Sequence, residues 1–443
     1  MHWGHAVSKD LVKWEHLPIA LYPDSLGYIF SGSAVYDKDN TSGLGTTENP
    51  PLVAIYTYHN MAFEKAGRQD CQYQGIASSI DNGRTWTKYE GNPVLPNPGK
   101  RDFRDPKLSW HELSKKWIMV LAVNNHVQFY SSPDLKKWSF ESAFGENEGA
   151  HGGIWECPDM FPMKSEEGEK WVLLVSMNNG APNGGSGTQY FIGDFNGNKF
   201  TNSNPVDDIH WMDYGKDNYA GVTWSNAPDS IGKRLFIGWM SNWQYAEKVP
   251  TIKWRSAMTI ARTLELKKFG DETHIVTEPV EAMKSLRKST VNVQSNVFSG
   301  YREIESDTSF GFRGELEIVF QEKNGPQFGL ASDFGIELKN GHGESVLIGY
   351  EPLQKRYFID RTKSGKTDFS PQFSGRHFAP AVAESEILSM HLFIDAASVE
   401  LFADDGRTVM TEIFFPNEDF NHVSLFANNG SVKLKSGALF SYR

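Results

Sequence analysis

Cysteine is scarce: Cys71 and Cys157 are the only two in 443 residues, so there is no disulfide framework, and no CxxC or Cys/His spacing suggests a metal site. Nothing in the chain calls for a cofactor. Long apolar runs are missing as well; none approaches the roughly 18 residues a membrane helix needs, which argues against membrane insertion. The start of the chain has neither a basic n-region nor an apolar h-region, so no signal peptide is read in it. Blocks of Lys and Arg are absent and the formal net charge is -11, which disfavours nucleic acid and anionic membranes as partners and suits a neutral ligand. Helical periodicity is almost absent from the first 265 residues. What remains is 39% hydrophobic and 13% aromatic, with 40 Gly and 21 Pro: enough for a large, turn-rich core in about two domains.

Short β-branched and aromatic runs bounded by Gly, Pro, Asn and Asp fill that first part, and inner strands are expected at 52–58, 116–123, 170–177 and 234–240. A turn follows such runs repeatedly: Ser8-Lys9-Asp10-Leu11-Val12-Lys13-Trp14, Ser79-Ile80-Asp81-Asn82-Gly83-Arg84-Thr85-Trp86 and Ser132-Pro133-Asp134-Leu135-Lys136-Lys137-Trp138, with a fainter copy at Gly193-Asp194-Phe195-Asn196-Gly197-Asn198-Lys199-Phe200. In each, the Asp can bond its own turn's backbone while the following aromatic packs back on the sheet. The four Asp lie 71, 53 and 60 residues apart, about one four-stranded sheet per unit. The fold expected is all-β: a five-bladed β-propeller over 1–275 with an incomplete first blade, a linker with a short helix over 276–291, and a β-sandwich over 292–443. An irregular all-β sandwich with similar turns is the alternative. Sandwich strands are expected at 314–321, 345–350, 355–360, 389–396, 398–403 and 422–428, and the short helix within 278–287.

Chemistry concentrates in two stretches. Arg101-Asp102-Phe103-Arg104-Asp105-Pro106 puts acid and base at the mouth of a strand, which a surface ion pair beside a turn would also explain. In Trp155-Glu156-Cys157-Pro158-Asp159 a Glu sits between apolar residues that disfavour its charged form, so it is expected to hold a proton as a general acid does; a Glu tucked against a turn is the plainer explanation. Glycoside hydrolysis needs two carboxyl groups across the scissile bond. Asp105 and Glu156, 51 residues apart, are expected at equivalent inner-strand positions of successive blades, both facing the central funnel. Phe30, Trp239 and Trp243 could stack on a sugar ring or simply fill core. His2, His5 and Trp14 read as aromatic packing, Asn183-Gly184-Gly185-Ser186-Gly187 as a flexible loop with no phosphate-binding context, and no Gly-x-Ser-x-Gly elbow occurs.

Met1-His2-Trp3-Gly4-His5-Ala6, Phe30-Ser31-Gly32-Ser33, Phe103-Arg104-Asp105-Pro106, Trp155-Glu156-Cys157-Pro158-Asp159 and Gly238-Trp239-Met240-Ser241-Asn242-Trp243, in this order, resemble the motifs of glycoside hydrolase family 32, which contains invertases, inulinases and levanases. The resemblance is nearest to levanase and exo-inulinase types and spans the chain, including Phe393 to Phe402. It implies a retaining hydrolase of terminal β-fructofuranosyl residues in levan, inulin or sucrose. By motif match Glu156 is the general acid/base, Asp105 with Arg104 holds fructose hydroxyls and stabilises the oxocarbenium-like transition state, and Phe30, Ser31 and Trp243 line the pocket, with Asp217-Asn218-Tyr219-Ala220 beside it. The family's nucleophile is the Asp of a Trp-Met-Asn-Asp-Pro-Asn-Gly segment, and no Asn-Asp-Pro-Asn run occurs here. The resemblance therefore implies that the chain as it stands lacks its nucleophile and is inactive, as a fragment of an active enzyme or as a catalytically inactive fructan-binding relative. The full-length form is expected to be secreted or periplasmic. A sialidase-like propeller, suggested by the turn at Ser79 to Trp86, would need an arginine triad and a Tyr nucleophile, for which nothing argues.

Overall fold

Strands Leu52–His59 and Lys116–Val123 read LVAIYTYH and KWIMVLAV, and every residue after the first of each is buried. Apolar runs without alternation belong to strands covered on both faces, so these lie inside their sheets and not at a solvated surface. A computed structural model describes residues 1–227, 233–304, 312–322, 329–382 and 385–442. Along it, a two-stranded hairpin of Trp3–Ser8 and Trp14–Leu21 is followed by a sheet of Tyr28–Tyr36, Leu52–His59, Gln72–Ser79 and Thr87–Lys88. Next come Phe103–His111, Lys116–Val123, His126–Ser132 and Ser139–Phe144, then Trp155–Ser165, Gly168–Met177, Gly187–Phe195 and Phe200–Asn202, then Tyr219–Thr223, Arg234–Met240, Arg262–Phe269 and Glu272–Pro279. The architecture is all-β, a propeller-like series of four such sheets ahead of a sandwich-like one. Five blades were expected; the described residues give these four sheets and the hairpin.

The repeated turns form as expected. Asp10 Oδ1 accepts the N–H groups of Val12 and Lys13 at 2.9 and 2.8 Å, and Asp134 Oδ1 those of Lys136 and Lys137 at 3.0 and 2.8 Å. Asp81 takes the N–H of Thr85 at 2.9 Å. The fourth copy is offset: Asn196 Oδ1 receives Asn198 and Lys199 at 3.0 and 2.8 Å, while Asp194 pairs with Lys170 at 3.2 Å. Asn supplies the same acceptor oxygen as Asp, so the turn closes two residues later.

By packing, the chain falls into two units: Met1–Gly180, Thr188–Trp211 and Ala220–Phe236 form one, and Ala181–Gly187, Met212–Tyr219 and Ile237–Arg443 the other. In the first unit the sheets are joined by apolar clusters such as Ile118, Val120, Phe129, Trp155, Leu173 and Phe191. In the second, Glu281–Leu286 is a 3-10 helix, shorter than expected because residues 278 and 279 still belong to strand Glu272–Pro279. The second unit's main sheet has eleven strands, and His422–Ser441 runs through it for 20 residues. This strand pairs with Asp333–Lys339 along its first part and with Gly314–Gln321 along its last, so a single strand serves both layers over one core of Ile336, Ile348, Leu392, Leu401 and Leu425. A segment expected to end at 428 thus continues, with Asn429 at φ 52° inside it.

Candidate active site

Phe103–His111 and Trp155–Ser165 are the first strands of successive sheets in the first unit, and both begin with the same irregularity. Their pairing slips between Arg104 and Lys107 and between Glu156 and Asp159, and the first residue inside the slip, Asp105 or Cys157, has φ of 62° or 46°. Left-handed backbone at a non-Gly residue costs of order 1–3 kcal/mol and persists only where surrounding contacts fix it. The shared bulge aligns Phe-Arg-Asp-Pro-Lys with Trp-Glu-Cys-Pro-Asp, so Arg104 corresponds to Glu156 and Asp105 to Cys157. The expected equivalence of Asp105 with Glu156 is therefore off by one residue.

The correspondence is one of contacts too. Arg104 Nη2 donates to Glu156 Oε1 at 2.9 Å, the Cys157 N–H donates to Asp105 Oδ2 at 3.0 Å, and Lys107 Nζ meets Asp159 Oδ2 at 2.9 Å. Arg104 also bonds Asp102 through Nη1, and its Nε stands 3.9 Å from Asp105 Oδ2. One guanidinium thus gathers three carboxylates. Burial opposes its charge, but Asp105, Glu156 and Asp102 together more than offset this and keep it ionised. Asp105 is 6% exposed, and burial, helped by the Glu156 charge, pushes its carboxyl from 3.8 up to about 6 against the pull of Arg104 and the Cys157 N–H. Burial likewise lifts the Cys157 thiol well above its usual value, leaving a neutral S–H 3.6 Å from Asp105 Oδ2.

Glu156 does not sit among its apolar sequence neighbours. Successive strand residues face opposite ways, so Trp155 turns into the core against Phe191 while Glu156 meets Arg104. Phe30 lies half-buried with its ring flat against His59, centroids 4.3 Å apart, and Ser31 follows on the exposed side of the same strand. Trp243 belongs to the second unit, where it is 51% exposed, 5.0 Å from the Trp239 ring, and bound through its N–H to Ser186 Oγ at 3.1 Å. The segment Asp217 to Ala220 offers no free carboxylate. Asp217 is fully buried, accepting from Tyr245 at 2.7 Å, Arg361 at 2.5 Å and the Ile413 N–H at 3.0 Å. Near the start His2 stacks on Tyr22 and Trp14 on Trp224.

Among the described residues, Glu315, Glu317 and His391 in the second unit bring ligand atoms close enough for a metal, but Arg287 Nη2 already bridges the two carboxylates and supplies the cation. Reading the sequence missed Asp102 as a partner of Arg104, His59 beneath Phe30, and the one-residue offset. The parallel between Phe-Arg-Asp-Pro-Lys and Trp-Glu-Cys-Pro-Asp was the signal available for the last.

Comparison with known proteins gives the family. The family profile "Glycosyl hydrolases family 32 N-terminal domain" matches residues 1–279, and "Glycosyl hydrolases family 32 C terminal" matches 281–441. A levanase of Bacillus subtilis (strain 168) is 47% identical over 441 residues, covering 98% of this chain; the chain spans 63% of that protein's length. An extracellular exo-inulinase of Aspergillus niger is 38% identical over 467 residues, covering 97% of this chain and 84% of its own. The crystal structure of exo-inulinase from Aspergillus awamori superposes with a TM-score of 0.89 at 34% identity, over 99% of this chain and 90% of that one. The chain belongs to glycosyl hydrolases family 32.

Proposed function

We propose that the first unit binds a terminal β-fructofuranosyl residue of levan, inulin or sucrose and supplies the acid/base and transition-state-stabilising groups for its hydrolysis. The observation that carries this reading is Arg104, which holds Glu156 at 2.9 Å while standing beside buried Asp105. In the reaction Glu156 delivers a proton to the departing glycosidic oxygen and later takes one from water, as a retaining double displacement requires. Asp105, ionised above about pH 6, accepts sugar hydroxyls and offsets positive charge developing on the ring. Phe30 and Ser31 complete the pocket in this unit.

With this goes a domain plan: a catalytic propeller over 1–275 in which the hairpin counts as the first of five blades, a linker over 276–291 and a sandwich over 292–443. A polymeric fructan does not cross a membrane, so the protein works outside the cytoplasm, secreted or periplasmic. The substrate is a neutral carbohydrate, in keeping with the net charge of -11.

Retention also needs a carboxylate nucleophile. The 443 residues contain no Asn-Asp-Pro-Asn run, and this favours a second reading, a fructan-binding chain without turnover. Fructose release from levan and inulin by a protein that also carries the Asn-Asp-Pro-Asn segment, measured beside calorimetric binding of 1-kestose, separates the two. Release that vanishes in Glu156→Gln supports the hydrolase; binding without release supports the second reading; neither binding nor release refutes both.

A further inference from the structure

Gln72 and Gln74 are alternate residues of strand Gln72–Ser79, so they share a face, and both are buried, at 5% and 0% exposure. Their amides grip the segment that carries Arg104 and Asp105. Gln74 Nε2 donates to the Phe103 carbonyl at 2.8 Å, and its Oε1 accepts from Thr57 Oγ1 at 2.7 Å. That same hydroxyl accepts the Asp105 N–H at 3.0 Å. Gln72 Oε1 accepts the Phe103 N–H at 2.8 Å and lies 3.5 Å from Arg104 Nη1. Its Nε2 lies 3.3 Å from His59 Nδ1, and His59 Nε2 lies 3.1 Å from Glu64 Oε2.

Polarity orders every link. The Phe103 N–H and the guanidinium can only donate, so Gln72 must turn its oxygen toward them and its NH₂ toward His59. His59 Nδ1 must then accept, which leaves the ring proton on Nε2 for the Glu64 carboxylate. The place of the strand explains why side chains are needed at all. Strand Phe103–His111 is the edge of its sheet and leaves its ladder between Arg104 and Lys107, so the buried backbone groups of Phe103 and Asp105 need partners from elsewhere.

We propose that Gln72, Gln74, Thr57 and His59 are positioning residues, a polarised clamp that fixes Arg104 and Asp105 for the fructosyl ring and ties Phe30, stacked on His59, to the same frame. The proposal rests on the reading of this site as a fructosyl pocket. Its test compares paired variants of the full chain: Thr57→Val with Thr57→Ser, and Gln72→Leu with Gln72→Glu. Each is measured for melting temperature, for calorimetric binding of 1-kestose, and for the His59 ring nitrogens by 15N NMR. Thr57→Val and Gln72→Leu should weaken 1-kestose binding about tenfold, the loss expected when one buried hydrogen bond goes unmade. Thr57→Ser restores the hydroxyl and Gln72→Glu keeps an acceptor for Phe103 and Arg104, so both should bind within about threefold of the parent. Glu at 72 cannot donate to Nδ1, so His59 Nδ1 should be unprotonated in the parent and protonated in Gln72→Glu. Folded Val and Leu variants that bind as the parent does, or Ser and Glu variants as weak as they are, overturn the clamp. If the parent does not bind 1-kestose, the fructosyl reading falls, and the His59 nitrogens still decide the clamp: no change of Nδ1 between parent and Gln72→Glu overturns it.

Discussion

Asp105→Asn should make the protein more stable at neutral pH while weakening the sugar binding proposed for it. In the folded chain burial raises the Asp105 carboxyl from 3.8 to about 6, and the Arg104 charge and the Cys157 N–H do not bring it back down. In the unfolded chain the group titrates near its ordinary value. Between about pH 4 and pH 6 the folded protein therefore keeps a proton that the unfolded chain has released, and stability falls as pH rises through that window. A shift of about two units at about 1.4 kcal/mol each amounts to roughly 3 kcal/mol, lost in full by pH 7. Asn has the shape of the protonated acid and never ionises, and its amide oxygen can still accept the Cys157 N–H. Asp105→Asn should thus gain about 3 kcal/mol at pH 7 and close to nothing at pH 4. Urea unfolding of parent and variant at pH 4, 5.5 and 7 reads the difference directly. An equal gain at all three pH values, or a loss at pH 7, would refute burial as the dominant influence on this carboxyl. The same variant should bind 1-kestose weakly, because charge-assisted hydrogen bonds to sugar hydroxyls become neutral ones.

In a protein that also carries the Asn-Asp-Pro-Asn segment, Glu156→Gln should lower fructose release by about 10²–10⁴-fold, the usual contribution of a general acid/base, with 1-kestose binding within about threefold of the parent; equal losses in both would remove Glu156 from proton transfer. In the second unit Arg262 is fully buried between Asp213 at 3.0 Å and Glu400 at 2.5 Å. Arg262→Met strands both carboxylates and should cost about 3–5 kcal/mol at pH 7 in urea unfolding. The cost should shrink toward pH 4, since burial already holds the Glu400 carboxyl above its ordinary value and protonation relieves it. Gly238→Ala should lower the melting temperature, because a Cβ there would lie 2.0 Å from Asn218 Oδ1, an overpacking worth about 1–3 kcal/mol.

Strands with unbroken apolar runs were legible from the sequence: 116–123 and 234–240 match Lys116–Val123 and Arg234–Met240, and 52–58 falls one residue short of Leu52–His59. Leu52–His59 and Lys116–Val123 are buried on both faces, whereas Arg234–Met240 keeps Arg234, Ile237 and Trp239 half-buried. Helix Met61–Lys65 was not legible, since five residues are too few to show a period; it forms on the cap of Asn60, whose side chain accepts from Ala62 and Phe63. Strand His422–Ser441 was cut short because Asn428-Asn429-Gly430 reads as a turn, whereas the left-handed Asn429 is absorbed within the strand. Arg104, Asp105 and Glu156 were singled out in the sequence and lie together in the structure, but their arrangement was not legible. Left-handed backbone at Asp105 and Cys157 carries no glycine to announce it, so a regular alternation was assumed where the chain departs from one.

That departure is what permits the site. In a regular strand adjacent side chains point to opposite faces, and Arg104 could not stand beside Asp105, nor could Glu156 and Cys157 both meet the neighbouring strand. With the bulge, Arg104 Nε comes within 3.9 Å of Asp105 Oδ2, Glu156 reaches Arg104, and the Cys157 N–H reaches Asp105. The same bulges leave the N–H groups of Asp105 and Cys157 to Thr57 and Asp105, while the edge position of the strand leaves the backbone groups of Phe103 to Gln72 and Gln74. Convergence of the charged side chains thus follows from the backbone distortion, and the amides beneath them from the strand's place at the edge of its sheet. A glycine at 105 would ease the left-handed φ and remove the carboxyl; Asn would tolerate the φ without the charge, and Glu would carry the charge on a side chain one carbon longer. Asp at this position carries both, because the contacts that hold the distortion in place are the contacts that aim its side chain.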